Sequence, residues 1–199
     1  MRNVPSGNLV LIRHGETAWS LSGQHTGLTD IPLTPRGERL GRRLPEQLGG
    51  FDLGLVLTSP LQRARQTAAL AGLAAQPDPD LVEWDYGGYE GVTTEEIRER
   101  VGYDWEIFAD GVVAGTTRGE TLQEVAARCR RVLDRVAPAL QQGDVALFSH
   151  GHTLRVLTSV FLGWAPQTGA QLALEAGAVS VLGYERELPA IQSWNRVLH

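Results

Sequence analysis

Three short apolar runs recur along the chain, and each of them ends in a polar turn. They cover residues 8–12, 53–57 and 144–148. Apolar runs of this length, bounded by turn residues, are typical of buried strands. A helical pattern follows each run; after Pro60 and after Gly151, for example, apolar residues recur every three or four positions. The pattern therefore predicts a series of strand–helix units.

The same helical spacing predicts three further helices, over residues 35–48, 94–101 and 121–140. The last begins with Thr121, and Glu124 follows three residues later. A threonine followed at this distance by a glutamate is the pattern of a capping box, in which each side chain binds the other residue's backbone N–H. We therefore expect the longest helix of the chain to begin at this threonine.

Two late strands are predicted over residues 179–184 and 190–194, the second at an edge of the sheet. Strands that alternate with helices predict an α/β fold with three layers, α/β/α, in which helices cover both faces of a mostly parallel central sheet. No repeat, low-complexity tract or linker interrupts the pattern. We expect a single domain over residues 1–199, in which residues 78–119 form an insertion that covers the functional site.

Composition adds a chemical exclusion. All 18 basic residues are arginine, and the chain contains no lysine. Mechanisms that need a lysine amine, such as a Schiff base, a phosphate-loop lysine or a kinase-type ATP lysine, are therefore excluded. Any anion that the protein binds must be held by arginine, histidine or backbone N–H groups, or by a metal.

The formal net charge of -5 argues against nucleic acid and membrane surfaces as partners, although a local arginine cluster can still bind a small anion. Neither a signal-peptide core nor an apolar segment long enough to span a membrane is present, which predicts a cytoplasmic protein. The single Cys129 cannot form an internal disulfide and is predicted to be a core residue of a helix. Arg128, Arg130 and Arg131 are predicted to lie on the solvent face of that helix.

Charged and polar side chains follow three of the predicted strands. They are Arg13 and His14 after the first, Ser59 leading to Arg63 after the second, and His150 after the third. Ligands of open α/β sheets bind at the carboxyl ends of the strands, so we expect these side chains to converge there. Two guanidinium groups and two imidazoles around one point are suited to a tetrahedral phosphate.

Five segments, in order, resemble motifs of the histidine phosphatase (phosphoglycerate-mutase-like) superfamily. They are Leu-Ile-Arg-His-Gly-Glu-Thr at 11–17, Ser-Pro-Leu-Gln-Arg-Ala at 59–64 with Thr-Ala at 67–68, Glu83 with Tyr-Gly-Gly-Tyr-Glu-Gly at 86–91, Gly-Glu-Thr at 119–121, and Ser-His-Gly at 149–151. The resemblance implies the phosphoglycerate-mutase-like fold and a phosphoryl-transfer reaction.

The resemblance also implies a role for each matching residue. His14 would be the nucleophile that forms a phosphohistidine, and Arg13, Arg63 and His150 would bind the phosphoryl oxygens. Glu83 would protonate the leaving oxygen and then act as the base for the attacking water. Trp84, its neighbour, is expected to place an apolar wall beside this carboxyl and so favour its protonated form.

A second group of residues is expected to contact the substrate, either because it matches family positions or because it lies next to the motifs. Ser20, at a position where the mutases usually have asparagine, belongs to this group. For His25 and His152, contact with the substrate and plain polar packing are both open. The expected substrate-binding residues are Ser20, Gln24, Thr26, Gly27, Tyr86, Gly151, His152 and Arg155.

Other classes of protein fit the sequence less well. A metal site built from His14, His150, His152 and Glu83 lacks the helical two-histidine spacing, and two guanidinium groups would repel the cation. The chain contains no Gly-x-Ser-x-Gly motif of a serine hydrolase and no complete glycine fingerprint of a dinucleotide-binding fold. A non-catalytic binder is expected to have lost His14 or Glu83. We expect no metal and no cofactor.

Within the superfamily, the alternative is a cofactor-dependent phosphoglycerate mutase. The resemblance gives that branch a longer acid-loop insertion with lysine and paired arginines. Between Tyr86 and Glu120 this chain has only Arg98, Arg100 and Arg118, and no lysine. Hydrolysis is therefore favoured.

The acid loop and the segment at 23–30 look most like bacterial acid phosphatases and sedoheptulose-1,7-bisphosphatase-type enzymes. The expected activity is a metal-independent phosphomonoesterase that acts on small phosphorylated metabolites, with a sugar (bis)phosphate as one candidate substrate. The family resemblance leaves a homodimer open.

Overall fold

The computed structural model describes residues 4–198, and its centre is a six-stranded sheet with the strand order β3-β2-β4-β1-β5-β6. The strands are β1 Leu9–Arg13, β2 Leu53–Thr58, β3 Gln76–Pro77, β4 Asp144–Ser149, β5 Val179–Glu185 and β6 Leu188–Arg196. Strands β1 and β2 both pair in parallel with β4, and β3 pairs in parallel with β2. Strand β5 is antiparallel to β1 and to β6, which is an edge strand as predicted.

Eight α-helices connect and cover these strands in the described part of the chain. They are α1 Ala18–Ser22, α2 Pro35–Arg43, α3 Pro45–Leu48, α4 Gln62–Leu70, α5 Thr94–Val101, α6 Ile107–Asp110, α7 Leu122–Leu140 and α8 Gly151–Phe161. Short 3₁₀ helices span Pro79–Leu81, Gly87–Tyr89 and Pro166–Gln171. The predicted capping box is present: the Thr121 side chain accepts from the Glu124 N–H, and the Glu124 carboxylate accepts from the Thr121 N–H.

Two hydrophobic cores lie on opposite faces of the sheet, because successive side chains of a strand point to opposite sides. Leu9 and Leu11 of β1 belong to the larger core, which contains the buried residues of α7 and α8. Val10 and Ile12 belong to the smaller core, together with residues of the α2–α4 side. The predicted three-layer α/β/α architecture is confirmed, and Cys129 lies in the larger core, where burial raises its pKa to about 12.

The helix predicted over residues 35–48 is in fact two helices, α2 and α3, and this part of the prediction is wrong. Pro45 begins α3 and has no N–H with which to continue the hydrogen-bond ladder of α2. The Leu44 N–H instead donates to Gly41 in a tighter turn, at 3.2 Å. Within residues 4–198, none of the helices combines the length and the apolar character that crossing a membrane requires.

Candidate active site

The carboxyl ends of β1, β2 and β4 lie side by side, because these three strands are adjacent and parallel. Backbone hydrogen bonds extend this pairing past the strand ends: the His14 N–H donates to the Ser149 carbonyl at 3.0 Å, and the Ser59 N–H donates to the Phe148 carbonyl at 2.8 Å. As a result the rings of His14 and His150 pack edge to face, with their centroids 5.1 Å apart. The structure thus brings together residues that are more than 130 positions apart in sequence.

His14 lines a cavity of about 350 Å³ at this edge of the sheet. Its Nδ1 lies 2.7 Å from the Gly15 carbonyl, which can only accept, so Nδ1 carries the proton and Nε2 has a free lone pair. Burial lowers the pKa of His14 well below its ordinary value, and the positive charges of Arg63 and Arg13 lower it further. The imidazole is therefore neutral and available as a nucleophile at neutral pH.

Arg13 lines the same cavity, and one of its hydrogen-bond donors is unsatisfied within the described residues. Its Nη1 donates to the Leu174 carbonyl, but its buried Nε has no hydrogen-bond partner among residues 4–198. A buried donor without a partner costs free energy, on the order of 1–3 kcal/mol. An anion bound in the cavity beside Arg13 would remove this cost.

Arg63 and His150 lie behind the cavity rather than among the described residues that line it. Arg63 Nε donates to His150 Nδ1 at 3.1 Å, and His150 Nε2 lies 2.8 Å from the Ser59 hydroxyl. The Arg63 Nη groups donate to three backbone carbonyls, those of Thr26, Gly27 and Thr29. Arg63 is fully buried, whereas Arg65, two positions further along α4, is exposed.

The Glu83 carboxylate also lines the cavity and is surrounded by hydrogen-bond donors. Oε1 accepts from the Trp84 N–H, the Thr153 N–H and the Thr153 hydroxyl at 2.9–3.0 Å, and Oε2 accepts from the His152 N–H at 3.1 Å. Three of these four donors belong to residues of the first turn of α8, whose N-terminus favours a negative charge. The carboxyl thus has polar surroundings in place of the apolar wall predicted from Trp84, whose ring packs edge-on against Phe108 and His152 and whose Nε1 donates to the Glu120 carbonyl.

One wall of the cavity, the far wall, consists of the aromatic and imidazole rings of His25, Tyr86, Trp105 and His152. The Tyr86 hydroxyl is 2.6 Å from His152 Nδ1, and the ring of His152 stacks on that of His25 at 6.1 Å. His25 donates through Nδ1 to the Val92 carbonyl at 2.7 Å and packs edge-on against Trp105. Burial lowers the pKa of both histidines and raises the pKa of Tyr86 well above its ordinary value, so all three side chains are neutral.

Seven of the eight residues expected to contact the substrate line this cavity, and Gly27 does not. The Gly27 N–H instead donates to the Glu90 carboxylate, at 2.9 and 3.1 Å. Sequence reasoning missed other lining residues, most of which come from the segment at 78–119. The missed residues are Gly23, Thr94, Arg98, Trp105, Glu106, Ile107 and Leu174.

Arg128 was expected on a solvent face, and this prediction is wrong. Its side chain is 5 % exposed and forms an ion pair with Glu120, with Nε 3.0 Å from Oε1. Arg130 and Arg131 are exposed as predicted. The arginine turns inward because Glu120 and two backbone carbonyls, those of Asp80 and Val82, accept hydrogen bonds from it.

No group of three or more His, Cys, Asp or Glu side chains within the described range is arranged as a set of metal ligands. His14, His150, His152 and Glu83, the set considered from the sequence, hydrogen-bond to protein groups instead.

Comparison with known proteins assigns this arrangement to a family. The family model described as histidine phosphatase superfamily (branch 1) matches residues 9–197. The chain belongs to this superfamily. It is 35% identical over 185 residues to an acid phosphatase of Mycobacterium tuberculosis, covering 92% of this chain and 89% of that protein. It is 36% identical over 189 residues to the sedoheptulose 1,7-bisphosphatase of Saccharomyces cerevisiae, covering 79% of this chain and 68% of that one.

Solved structures of related chains have the same fold as this histidine phosphatase. The structure of an open reading frame product from Mycobacterium tuberculosis superimposes with a TM-score of 0.91 at 32% identity, covering 98% of this chain and 100% of that chain. Phosphoglycerate mutases also occur among the relatives of this histidine phosphatase.

Gly151→Ala is expected to weaken phosphate binding in this histidine phosphatase without unfolding it. A Cβ at this position would lie 3.4 Å from Arg13 Nε and Cζ, which is ordinary van der Waals contact. The methyl group would cover the unpartnered donor, and the loss of one hydrogen bond from a charged group is worth about 10- to 100-fold in affinity. We expect the inhibition constant for inorganic phosphate to rise by this factor, while the free energy of unfolding changes by about 1 kcal/mol or less.

Gly54→Ala is the matched control, because a Cβ on Gly54 meets nothing within 4 Å. Equal phosphate inhibition of Gly151→Ala and the wild type would show that Arg13 Nε does not bind the anion.

The buried histidines also predict how the stability of this histidine phosphatase depends on pH. The pKa values of His14, His150 and His152 lie well below 6.5 because of burial and nearby arginines. In the unfolded chain they titrate near 6.5, so below this pH the unfolded state binds protons that the folded state does not. Their contribution to stability is complete above about pH 6.5 and is lost as the pH falls. Each histidine lowers the free energy of unfolding by up to about 1.4 kcal/mol per pH unit.

Urea unfolding at pH 7.5, 6.5 and 5.5, in phosphate-free buffer, measures this loss. This pH range lies above the ordinary pKa values of carboxyl groups, which are near 4. A His152→Gln variant is expected to show a shallower decline. A free energy of unfolding that does not change over this range would contradict the neutral state of the three histidines.

Proposed function

We propose that the protein is a phosphomonoesterase that hydrolyses small phosphorylated metabolites through a phosphohistidine on His14. One observation carries the proposal: His14 with its free Nε2, Arg13 with its unpartnered Nε, and Glu83 all line the same cavity. A neutral nucleophile, an anion-binding donor and a proton carrier are the three groups that metal-free phosphoryl transfer from an ester needs.

The first step forms the P–N bond and breaks the ester P–O bond. His14 Nε2 attacks phosphorus, and the leaving oxygen takes a proton from the protonated Glu83 carboxyl. Arg13 neutralises charge on the phosphoryl oxygens, and we propose that Arg63 and His150 also stabilise this charge from their position behind the cavity. Because Arg63 is held by carbonyls of residues 26–29, direct contact with phosphate requires that it exchange one of these partners.

The second step regenerates the enzyme. The Glu83 carboxylate takes a proton from water as the water oxygen attacks phosphorus, and the P–N bond breaks with its electron pair returning to Nε2. The sum of both steps is ester plus water giving alcohol plus inorganic phosphate. The nucleophile and the acid are back in their initial states, so the cycle needs no metal or cofactor.

Hydrolysis is favoured over mutase activity by the arginines of the loop at 86–120. Arg118 is 69 % exposed and bound to the Glu124 carboxylate, and Arg98 is bound to the Asp104 carboxylate and the Trp105 carbonyl. A mutase must hold the second acidic group of its substrate firmly while water is excluded. Arg98 lines the cavity, but its Nε and Nη2 already have these acceptors; Arg118 does not line the cavity, and the chain has no lysine to replace either of them.

A sugar phosphate or bisphosphate is the substrate class that the far wall supports best. His25 offers an unprotonated Nε2 that can accept from a hydroxyl, because its Nδ1 donates to the Val92 carbonyl. Arg155 adds a positive charge at this wall, with its guanidinium 4.7 Å from the Phe108 ring and bonded to the Gly169 and Ala170 carbonyls. The name of the sedoheptulose 1,7-bisphosphatase relative points the same way.

We also propose that residues 78–119 cover the site, that the protein acts in the cytoplasm, and that it binds neither nucleic acid nor membranes. Support for the first comes from the lining residues of this segment, such as Trp105 and Ile107. A homodimer is compatible with this function.

Phosphate release from a panel of phosphomonoesters, measured in the presence of a chelator, tests the proposed function. The panel pairs sugar bisphosphates with the corresponding monophosphates and includes 3-phosphoglycerate, for which interconversion is assayed beside hydrolysis. We expect chelator-resistant release of phosphate, fastest from a sugar phosphate. Interconversion of phosphoglycerates without phosphate release would overturn the assignment as a hydrolase, and loss of activity in chelator would overturn the metal-free mechanism.

A further inference from the structure

Arg128 is a buried charge that the proposed mechanism does not use. All five of its N–H donors have acceptors: Nε and Nη2 bind the two carboxylate oxygens of Glu120, Nη1 binds the Asp80 and Val82 carbonyls, and the second Nη2 proton reaches the Thr153 hydroxyl at 3.2 Å. Burying such a pair is costly and often adds little to stability. Arg128 binds the loop that carries Glu83, and this position indicates a role other than stability.

The Arg128–Glu120 pair holds the acid loop on both sides of Glu83. Before Glu83, Arg128 binds the carbonyls of Asp80 and Val82. After it, the Glu120 carbonyl accepts from the Trp84 indole at 2.8 Å, and the Glu120 carboxylate accepts from the Asp85 N–H at 3.1 Å. The backbone that positions Glu83 is thus held on either side by one ion pair.

Thr153 connects this ion pair to the Glu83 carboxyl itself. Because an arginine can only donate, the Thr153 hydroxyl accepts from Arg128 and keeps its own proton for another acceptor. Two acceptors lie within reach, the Val82 carbonyl at 2.8 Å and Glu83 Oε1 at 3.0 Å. Arg128 also donates to the Val82 carbonyl, so this carbonyl keeps a donor when the hydroxyl turns to Glu83.

The two oxygens of Glu83 therefore differ. Oε1 has three donors around it, two from Thr153 and one from Trp84, whereas Oε2 accepts from the His152 N–H alone within residues 4–198. An oxygen whose lone pairs all accept hydrogen bonds has no place for a proton. We propose that Thr153, oriented by the Arg128–Glu120 pair, is a positioning residue that keeps Oε1 occupied, so that the proton transferred in catalysis is carried on Oε2.

This inference rests on the proposed function of Glu83 and makes a prediction of its own. Without the Thr153 hydroxyl, the proton is shared between the two oxygens and the carboxyl is less well aligned with the leaving group. The decrease in the rate of phosphohistidine formation must be large for an alkyl phosphate, whose leaving oxygen needs the proton. It must be small for 2,4-dinitrophenyl phosphate, whose leaving group departs without one.

Thr153→Val is the test variant, because valine retains the shape of threonine and lacks only the hydroxyl. We expect kcat/KM for the alkyl phosphate to fall about 10- to 100-fold, the size of one hydrogen bond to a charged group. We expect kcat/KM for 2,4-dinitrophenyl phosphate, which reports the formation of phosphohistidine and not its hydrolysis, to change less than about threefold. Thr153→Ser, which restores the hydroxyl, is expected to recover most of the loss.

Thr158→Val is the matched control. Thr158 lies on the same helix, is equally buried, and donates its hydroxyl to the Leu154 carbonyl at 2.8 Å, away from Glu83. Any general effect of removing a buried threonine hydroxyl from α8 appears in this variant as well. An Arg128→Met variant is less informative, because it leaves the Glu120 carboxylate buried without its partner and can unfold the protein.

The outcomes separate this inference from the proposed function. Equal losses of kcat/KM for both esters in Thr153→Val, or a Thr153→Ser variant as slow as Thr153→Val, would overturn the inference. So would a Thr158→Val variant with the same preference between the two esters as Thr153→Val. If Glu83→Gln is itself without effect on the alkyl ester, the proposed role of Glu83 fails instead.

Discussion

A His14→Ala variant is expected to lose phosphatase activity by on the order of 10⁴-fold or more. Removal of the attacking group eliminates the covalent route, and only phosphate binding and polarisation by the remaining groups are left. The free Nε2 of His14 has no substitute at the same place, because His150 uses both ring nitrogens in hydrogen bonds to Arg63 and Ser59. The fold is expected to persist, because the lost ring is neutral and leaves no buried charge unpaired.

The measurement is turnover of an aryl phosphate, combined with alkaline quenching after mixing with radiolabelled substrate, since phosphohistidine survives in alkali. We expect label on the wild type and none on His14→Ala. His25→Gln is the matched control, a second histidine of the same cavity with a lowered pKa; label should persist there. Added imidazole should restore part of the activity of His14→Ala by occupying the space of the lost ring. A labelled His14→Ala variant, or one with wild-type turnover, would overturn the mechanism.

Glu83→Gln is expected to have the second largest effect, and one that depends on the leaving group. Glutamine retains the shape, and its one amide oxygen can accept from the Trp84 and Thr153 N–H groups, but its NH2 group cannot accept from the His152 N–H and cannot act as a general acid. General acid catalysis contributes about 10²- to 10⁴-fold, so hydrolysis of an alkyl phosphate should slow by this factor. An activated aryl phosphate should form phosphohistidine nearly as fast as in the wild type.

Rapid-quench kinetics with both esters separates the two steps of the reaction. Because Glu83 also serves as the base for water, phosphohistidine should accumulate when Glu83→Gln is mixed with the aryl phosphate, and a burst of alcohol should precede slow release of phosphate. Glu90→Gln is a control for general loss of a carboxylate near the site, because Glu90 binds the backbone of Gly27 and Thr29. Full turnover of the alkyl phosphate by Glu83→Gln would assign the proton to another group.

Much of the fold follows from local patterns in the chain. An apolar run bounded by turn residues indicates a strand whatever surrounds it, and the three predicted strands at residues 8–12, 53–57 and 144–148 match β1, β2 and β4 to within one residue at either end. The break between α2 and α3 also had a local signal, Pro45, which the apolar spacing over residues 35–48 outweighed. Strands and helix breaks can thus be predicted where their signal lies within the segment itself.

The site was predictable to the extent that it follows strand ends. Arg13 is the last residue of β1, His14 follows it directly and His150 directly follows β4, so a rule about carboxyl ends was sufficient to bring them together. No comparable rule predicts which residues form the far wall. Trp105, Ile107 and Leu174 line the cavity from segments that no periodic pattern connects to the strands.

The sequence by itself determined the strands, their alternation with helices, the absence of lysine and the ordered motifs that indicate a histidine phosphatase. Tertiary structure alone decided the environment of each charge. An apolar wall was predicted beside Glu83 from its sequence neighbour Trp84, but the carboxyl accepts hydrogen bonds from the Trp84 N–H and from the N–H groups of His152 and Thr153, about 70 positions away. Arg128, whose neighbours predicted a solvent face, is buried against Glu120 and the acid loop. Apolar periodicity is a property of one segment, whereas the partner of a buried polar group comes from whichever segment the fold places beside it.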